Sequence, residues 1–344
     1  MKKSLKVSMT ILFSALLIFS LAACSTTNSQ SAKTQPAKQE VQTVRIAEVT
    51  RSIFYAPMYV ALSKGFFKDE GLDVKLTTVP GGDKTMTALI SGGADVALVG
   101  SETSIYVYAQ GSNDPVLNFA ALTQTDGTFL VSRKKIDHFS WQQLKGSTFL
   151  GQRKGGMPQM VGEYVLKQHG IDPHNDLNLI QNIDFANISS AFASGTGDYV
   201  QLFEPTASIF EKEGKGYIVA SFGTDSGRVP YTSFMAKQSY LKKNQATVEK
   251  FTSAIYKAQQ WVDAHTPKET AQAIQPYFPD TDLSIMESAV NRYKSQGSYA
   301  TNPIIDPKAW DNLQNIMNAA GSLPKHVDYN TLVNTTIAKK ISQN

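Results

Sequence analysis

A unit of sequence recurs at a constant offset, and that repeat restricts the folds open to this chain more than any other feature. Ser91-Gly92-Gly93-Ala94-Asp95, the apolar run 96–99 and Gly100-Ser101-Glu102-Thr103 form the first copy. Ser194-Gly195-Thr196-Gly197-Asp198, the run 199–203 and Glu204-Pro205-Thr206 form the second, each position 103 residues on. In the first copy Asp83 is expected to cap a helix, with Met86, Leu89 and Ile90 at three- and four-residue spacing on its buried face. Gly92 and Gly93 end it, because glycine reaches the left-handed conformation that helix ends favour. The run 96–99 suits a parallel strand covered on both faces. A match this short arises readily by chance. The order of elements around it is what argues for two similar lobes, since a strand, a polar or glycine-rich loop and a helix opened by Pro57 or Pro158 precede each copy. Ser101 and Glu204 then occupy equivalent strand ends in facing lobes, the place where open α/β sheets bind ligands.

The rest of the chain fits an α/β fold whose lobes are mostly parallel sheets flanked by helices. Strands are expected at 44–49, 73–79, 147–150, 177–183 and 216–222, with extended runs at 119–132 and 231–236. A helix is expected over 157–168, with Met160, Val161, Tyr164 and Val165 on its buried face and Gly170 at its end. Beyond residue 240 the pattern is helical, at 243–264, 267–275, 283–296 and 307–320. One lobe inserted into another, with a helical C-terminal return, explains this order: 43–128 with 232–344, and 129–231. Trp141, Trp261 and Trp310 lie in or beside these helices and are read as packing residues.

The chain begins with Lys2, Lys3 and Lys6 followed by an apolar segment over 9–23, too short to span a membrane and suited to a secretory leader. That segment, 1–23, ends in Leu21-Ala22-Ala23-Cys24, which resembles the lipobox of bacterial lipoproteins. The resemblance implies that Cys24 becomes the acylated N-terminus. An ordinary leader with a chance cysteine is the rival. Cys24 is the chain's one cysteine, which excludes intrachain disulfides and cysteine-based metal sites. The Ser/Thr/Gln/Lys-rich stretch 24–42 reads as a flexible tether spanning about 25 Å. Without the three leader lysines, 30 Lys+Arg face 29 Asp+Glu. Near-neutrality gives no reason to invoke nucleic acid.

The segment Ala56-Pro57-Met58-Tyr59-Val60-Ala61-Leu62-Ser63-Lys64-Gly65-Phe66-Phe67, then Glu70-Gly71-Leu72-Asp73-Val74 and the Ser-Gly-x-x-Asp unit, resemble solute-binding lipoproteins of ABC importers. Their nearest branch is the nitrate/sulfonate/taurine and thiamine-pyrimidine-precursor binding family. The resemblance covers roughly 44–240 and rests on ordered motifs. It implies a two-lobed type II periplasmic-binding fold, crossing segments near 125–132 and 228–236, and a monomer anchored outside the cytoplasm through Cys24. It also implies a small-molecule solute, an ABC permease with its ATPase as partners, and no cofactor.

Strand ends and helix starts nominate the ligand-binding residues. From the first lobe these are Phe54, Tyr55, Ser101, Glu102, Thr103, Asp126 and Gly127. From the second they are Arg153, Gly155, Gly156, Met157, Glu204 and Tyr231. Phe54 and Tyr55 stack a planar ligand or pack their loop. Arg153 offers a fork to a sulfonate, phosphate or carboxylate, or stands solvated. Gly155 and Gly156 present N–H groups to an anion, or make the turn. Glu204 either caps a helix or accepts bonds from a ligand amine or amide while repelling a bare anion. That last property points to an organic solute, a pyrimidine-like heterocycle or an organosulfonate. A nitrate or other small-anion binder, and a ligand-presenting sensor lipoprotein, are the alternatives. Catalysis is not expected, because His138, His169, His174, His265 and His326 are scattered without metal-ligand spacing. Nucleophile elbow, phosphate loop and paired catalytic carboxylates are missing too.

Overall fold

The computed structural model describes residues 41–343, so the leader 1–23, Cys24 and the tether to residue 40 lie outside the described residues. The tether expectation ends one residue too late: Gln42 already opens a strand, its N–H bonded to Gly71 O at 3.0 Å. Ten strands follow in order: β1 Gln42–Glu48, β2 Leu72–Thr78, β3 Val96–Gly100, β4 Val116–Thr123, β5 Thr128–Ser132, β6 Thr148–Leu150, β7 Asn178–Ile180, β8 Tyr199–Phe203, β9 Tyr217–Ser221 and β10 Thr232–Lys237.

They form two five-stranded sheets of the same design, ordered β2-β1-β3-β10-β4 and β7-β6-β8-β5-β9. In each sheet three neighbours pair in parallel, a fourth strand runs against them, and the fifth pairs antiparallel with that one. Four strands therefore point one way. The reversed strand is in each case the one that has just crossed from the other lobe, β5 or β10. Its direction follows from entering the sheet at the shared edge of the lobes.

The repeat is visible at the hydrogen-bond level. Asp95 Oδ2 accepts from Arg45 N–H at 2.9 Å while Asp95 N–H donates to Arg45 O at 2.9 Å. Asp198 does the same to Thr148, at 2.9 and 2.8 Å. Each aspartate clips the start of its strand to the parallel neighbour, so the motif is a local device for opening β3 and β8. The two strands, Val96–Gly100 and Tyr199–Phe203, keep the 103-residue offset.

The C-terminal helices are Gln245–Ala264, Pro267–Ile274, Leu283–Ser295 and Pro307–Ala319. Thr266 and Glu269 form a capping box at the second, satisfying two otherwise free N–H groups. Phe251 of the first buries against Phe67, Phe119 and Phe234, with ring centroids 5.1, 5.8 and 5.0 Å away. Helix Pro307–Ala319 also reaches helix Met157–Gln168 of the second lobe, where Lys167 Nζ donates to Ala319 O at 2.6 Å. Trp310 is fully buried. Among the described residues no helix is long and apolar enough to cross a membrane.

Two local expectations fail. Asp83 does not cap: helix Gly82–Ile90 starts one residue before it, so its carboxylate lies inside the first turn. Ile90 is 47% exposed while Met86 and Leu89 are buried, because the helix turns its last residue toward the space between the lobes.

Gly92 and Gly197 both hold a left-handed backbone, φ +81° and +77°. A Cβ at Gly92 meets nothing within 4 Å, whereas one at Gly197 lands 2.1 Å from Leu150 Cδ1, a fully buried side chain. Gly92→Ala should cost about 1–2 kcal/mol of backbone strain. Gly197→Ala should cost about 2–5 kcal/mol, because overpacking is added. Urea unfolding of the two variants checks the order; equal losses would contradict the packing.

Candidate functional site

The strand ends of the two sheets face a cavity of about 770 Å³. Helices Gly82–Ile90 and Glu102–Ala109 wall it on the first lobe; the loop after β6 and the first turn of helix Met157–Gln168 wall it on the second. Helix Glu102–Ala109 was not expected from the sequence. It begins one residue after β3 ends and carries Glu102 into the cavity.

Glu102 is the centre of the site. A Cβ on Gly100 would sit 2.2 Å from Glu102 Oε2, so the carboxyl group folds back over the bare backbone of that glycine. Its Oε1 accepts from Met157 N–H at 3.3 Å, across the cleft. Its Oε2 has no hydrogen-bond partner among the described residues, although the residue is only 3% exposed. Burial pushes the carboxyl up to about 8, against the opposing pull of its own and Met157's N–H groups. The positive end of helix Met157–Gln168 therefore already faces a carboxyl group of the protein itself.

Two further residues, Gln152 and Tyr231, bring buried polar groups to the site. Gln152 Nε2 donates to Gln201 O at 2.6 Å, which commits the amide and leaves Oε1 as a free acceptor. The Tyr231 hydroxyl is buried beside the Asp126 carboxyl; burial first, then that carboxyl, raise its phenol well above the ordinary range. Both residues line the cavity. Aromatic surface comes from Tyr55 and Tyr106 on one lobe and Phe185 and Phe203 on the other.

Of the nominated residues, Tyr55, Glu102, Thr103, Arg153, Gly155, Gly156, Met157 and Tyr231 line this cavity. Thr103 turns its hydroxyl to Gly100 O at 2.6 Å and offers only its methyl. Arg153 reaches across to Asp83, Nη2 to Oδ1 3.0 Å, as an exposed ion pair. Gly155 N–H is spent on Gln159 Oε1 at 3.0 Å. The fork and the glycine loop thus both carry protein acceptors.

Five nominations are corrected. Phe54 is fully buried and packs with Phe203, Tyr231 and Tyr293 at centroid distances of 5.9, 5.5 and 5.0 Å; it supports the cavity wall from behind and stacks nothing. Gly127 lies under that ring, where a Cβ would fall 2.7 Å from Phe54 carbons. Asp126 is buried on Thr128, whose N–H donates to it at 2.6 Å. Ser101 turns inward to Ser233, Oγ to Oγ 2.7 Å. Glu204 does not face the cleft: its carboxylate accepts from Ser208 N–H and from Arg292 Nη1, at 2.9 and 2.6 Å. The capping alternative holds there, and Ser101 and Glu204 do not oppose each other across a ligand. Gln152 was missed, since a neutral amide beside Arg153 carries no signal until its partner Gln201 O is known.

Among the described residues no three His, Cys, Asp or Glu side chains converge as metal ligands would.

Residues 37–275 match the sequence profile of the NMT1-like family. The chain is 62% identical over 344 residues, 99% of both proteins, to YtlA of Bacillus subtilis (strain 168), whose name carries the words binding protein and no ligand. It is 28% identical over 260 residues, 72% of each chain, to 4-amino-5-hydroxymethyl-2-methylpyrimidine phosphate synthase of Aspergillus parasiticus. The structure of the alkanesulfonate-binding protein SsuA from Xanthomonas axonopodis pv. citri bound to MOPS matches with a TM-score of 0.68 at 16% identity, over 86% of this chain and 99% of that one. At that identity the likeness shows the fold, a two-lobed α/β architecture of the periplasmic-binding type.

The raised Glu102 carboxyl sets a pH dependence. Between its ordinary 4.5 and about 8 the folded protein keeps a proton that the unfolded chain has released. The stability from this group is therefore complete below pH 4.5 and is lost as pH rises through 8. Glu102→Gln should remove that decline. Asp126, raised to about 6 by burial, is common to both proteins and cancels in the difference. Urea titrations at pH 5, 7 and 9 test this; parallel profiles for wild type and variant would refute a buried, protonated Glu102.

Proposed function

This chain belongs to the NMT1-like family, and from that premise we propose that it captures a small organic solute with N–H donors in the interlobe cleft and delivers it to an ABC-type permease. The observation that carries this reading is Glu102, a buried cavity-lining carboxyl with one oxygen bonded to a helix N-terminus and the other without a partner among the described residues. A bare anion in that cavity would find the N–H of Met157 already used by Glu102. With its proton on Oε2, Glu102 donates to a solute acceptor such as a ring nitrogen, and Gln152 Oε1 accepts a solute N–H. A pyrimidine-like heterocycle presents such donors on a flat ring, which suits the aromatic walls. An organosulfonate is accommodated only if it also carries an amine or amide.

A binding role and not a catalytic one is supported by the name of YtlA and by a cleft whose Arg153 and glycine loop are tied up in protein contacts. The pyrimidine phosphate synthase of Aspergillus parasiticus is the more distant relative. We assign 43–128 with 232–344 to one lobe and 129–231 to the other, in keeping with the strand membership of the sheets. The lobes close on the solute by hinge motion. Cys24, acylated, holds the monomer to the outer face of the cell membrane, with 24–42 as its tether. The small-anion reading keeps one observation in its favour, Arg153 at the cavity mouth.

Titration calorimetry and thermal shift at pH 7 with 4-aminopyrimidine, taurine and nitrate decide between these readings. The aminopyrimidine should raise the melting temperature and nitrate should not. Glu102→Leu should weaken aminopyrimidine binding about tenfold or more, the worth of a hydrogen bond to a strongly polar buried group. A shift with nitrate and none with either organic solute would overturn the proposal. For the anchor, Cys24→Ala should leave the protein unacylated by mass spectrometry and move it from the membrane fraction to the medium or periplasm.

A further inference from the structure

The cavity is longer than its polar groups require. It touches both ends of two helices: Gly82 and Ile90 on one, Glu102 and Ala109 on the other. At 1.5 Å per residue it therefore runs about 11 Å along the first lobe, roughly twice the width of a six-membered ring. Its chemistry changes along that length. The charged lining residues, Asp83, Glu102, Arg153 and Lys154, all belong to helix first turns or to the loop after β6. The far end is lined by Met86, Ile90, Val107 and Ala109.

That far end is a prepared surface. Met86 and Val107 belong to a separate buried cluster with Leu89, Val99 and Met235, so the groove floor is fixed by packing. Ile90 stands over it at 47% exposure, one of two large apolar side chains exposed among the described residues; the other, Val41, lies just before β1. The periodicity of helix Gly82–Ile90 marks Ile90 as a contact position, yet no core reaches it. A contact position left open along a cavity that is polar at its other end calls for an apolar group carried by the same ligand.

We propose that the solute is bipartite: an N–H-bearing head bound by Glu102 and Gln152, and an apolar arm lying over Met86 and Val107 toward Ile90. This rests on the reading of the cleft given above and narrows it to amphiphilic solutes. It excludes inorganic anions and bare rings as preferred ligands, because both leave the far end hydrated.

The test is a series of 4-aminopyrimidines carrying methyl, propyl or hexyl at the 2-position, titrated calorimetrically into the full folded domain. Affinity should rise roughly three- to fourfold per methylene, as burial of a CH2 group predicts, until the arm passes Ile90. Ile90→Asp, at an exposed position that tolerates a charge, should lower the hexyl affinity at least tenfold more than the methyl affinity. Gln152→Leu should weaken every member by a similar factor, about tenfold. Thermal unfolding of each variant separates loss of binding from loss of fold. If the methyl compound binds and affinity is flat or falls with chain length, the arm is refuted while the head site stands. An ether chain of the same length binding as well as hexyl refutes an apolar groove. If no member binds, the organic-solute reading fails and the bipartite ligand with it.

Discussion

The site depends on one buried carboxyl group placed where two lobes meet. Glu102 lies between the open backbone of Gly100 and the first N–H of helix Met157–Gln168. Taking a carboxylate out of water costs several kcal/mol unless it is paired, and here one backbone N–H and a helix end are all it has. The group meets that cost by holding its proton to about pH 8. The exposed Asp83–Arg153 pair at the mouth belongs to a different scale of energy, below about 1 kcal/mol for solvated pairs. Charge counting would have ranked Arg153 as the recognition residue. Burial reverses that ranking.

Topology explains why such a group falls in the cleft at all. Each sheet has its parallel strands ending at the same edge, and each reversed strand, β5 or β10, is a passage from one lobe to the other. Parallel strands deliver helix starts to one edge, and helix starts carry free N–H groups. Two such edges brought face to face give a cavity lined by N–H groups and glycines, which is anion-seeking by default. In this chain Glu102 accepts Met157 N–H and Gln159 accepts Gly155 N–H.

How much of this could be read from the chain varies by the range of the interaction. The repeat, the bounds of helix Met157–Gln168 and the C-terminal helices follow from local pattern, and the structure places them within a residue or two. Ile90 was misread because helical spacing reports that a position contacts something apolar, without saying whether that is core or ligand groove. Glu204 was misread for a different reason. Its partner Arg292 lies 88 residues on, in helix Leu283–Ser295, and no spacing rule links them. Phe54 failed likewise, since its burial is set by Tyr293 and Phe203 from other elements. Gln152 was invisible because only the carbonyl of Gln201 shows which way its amide points.

The two strand-end carboxylates also differ in what they do for motion. Glu204 is neutralised by Arg292, bonded to Ser208, and its N–H is received by Tyr293 Oη at 3.1 Å, while Tyr293 donates on to Gly127 O at 2.9 Å. Ser52 Oγ of the first lobe donates to Glu204 O at 2.8 Å. These bonds are buried and join the second lobe to the first beside the crossing strands; removing one partner from a buried pair costs about 3–5 kcal/mol. The contacts between lobes at the cavity are weaker: an exposed ion pair, Tyr106 Oη on Met160 Sδ at 3.6 Å, and the 3.3 Å bond to Glu102. The bonds between the lobes are thus stronger at Glu204 than at the cavity. Of the two strand-end acids, Glu204 is bonded into the contact between the lobes and Glu102 lines the cavity.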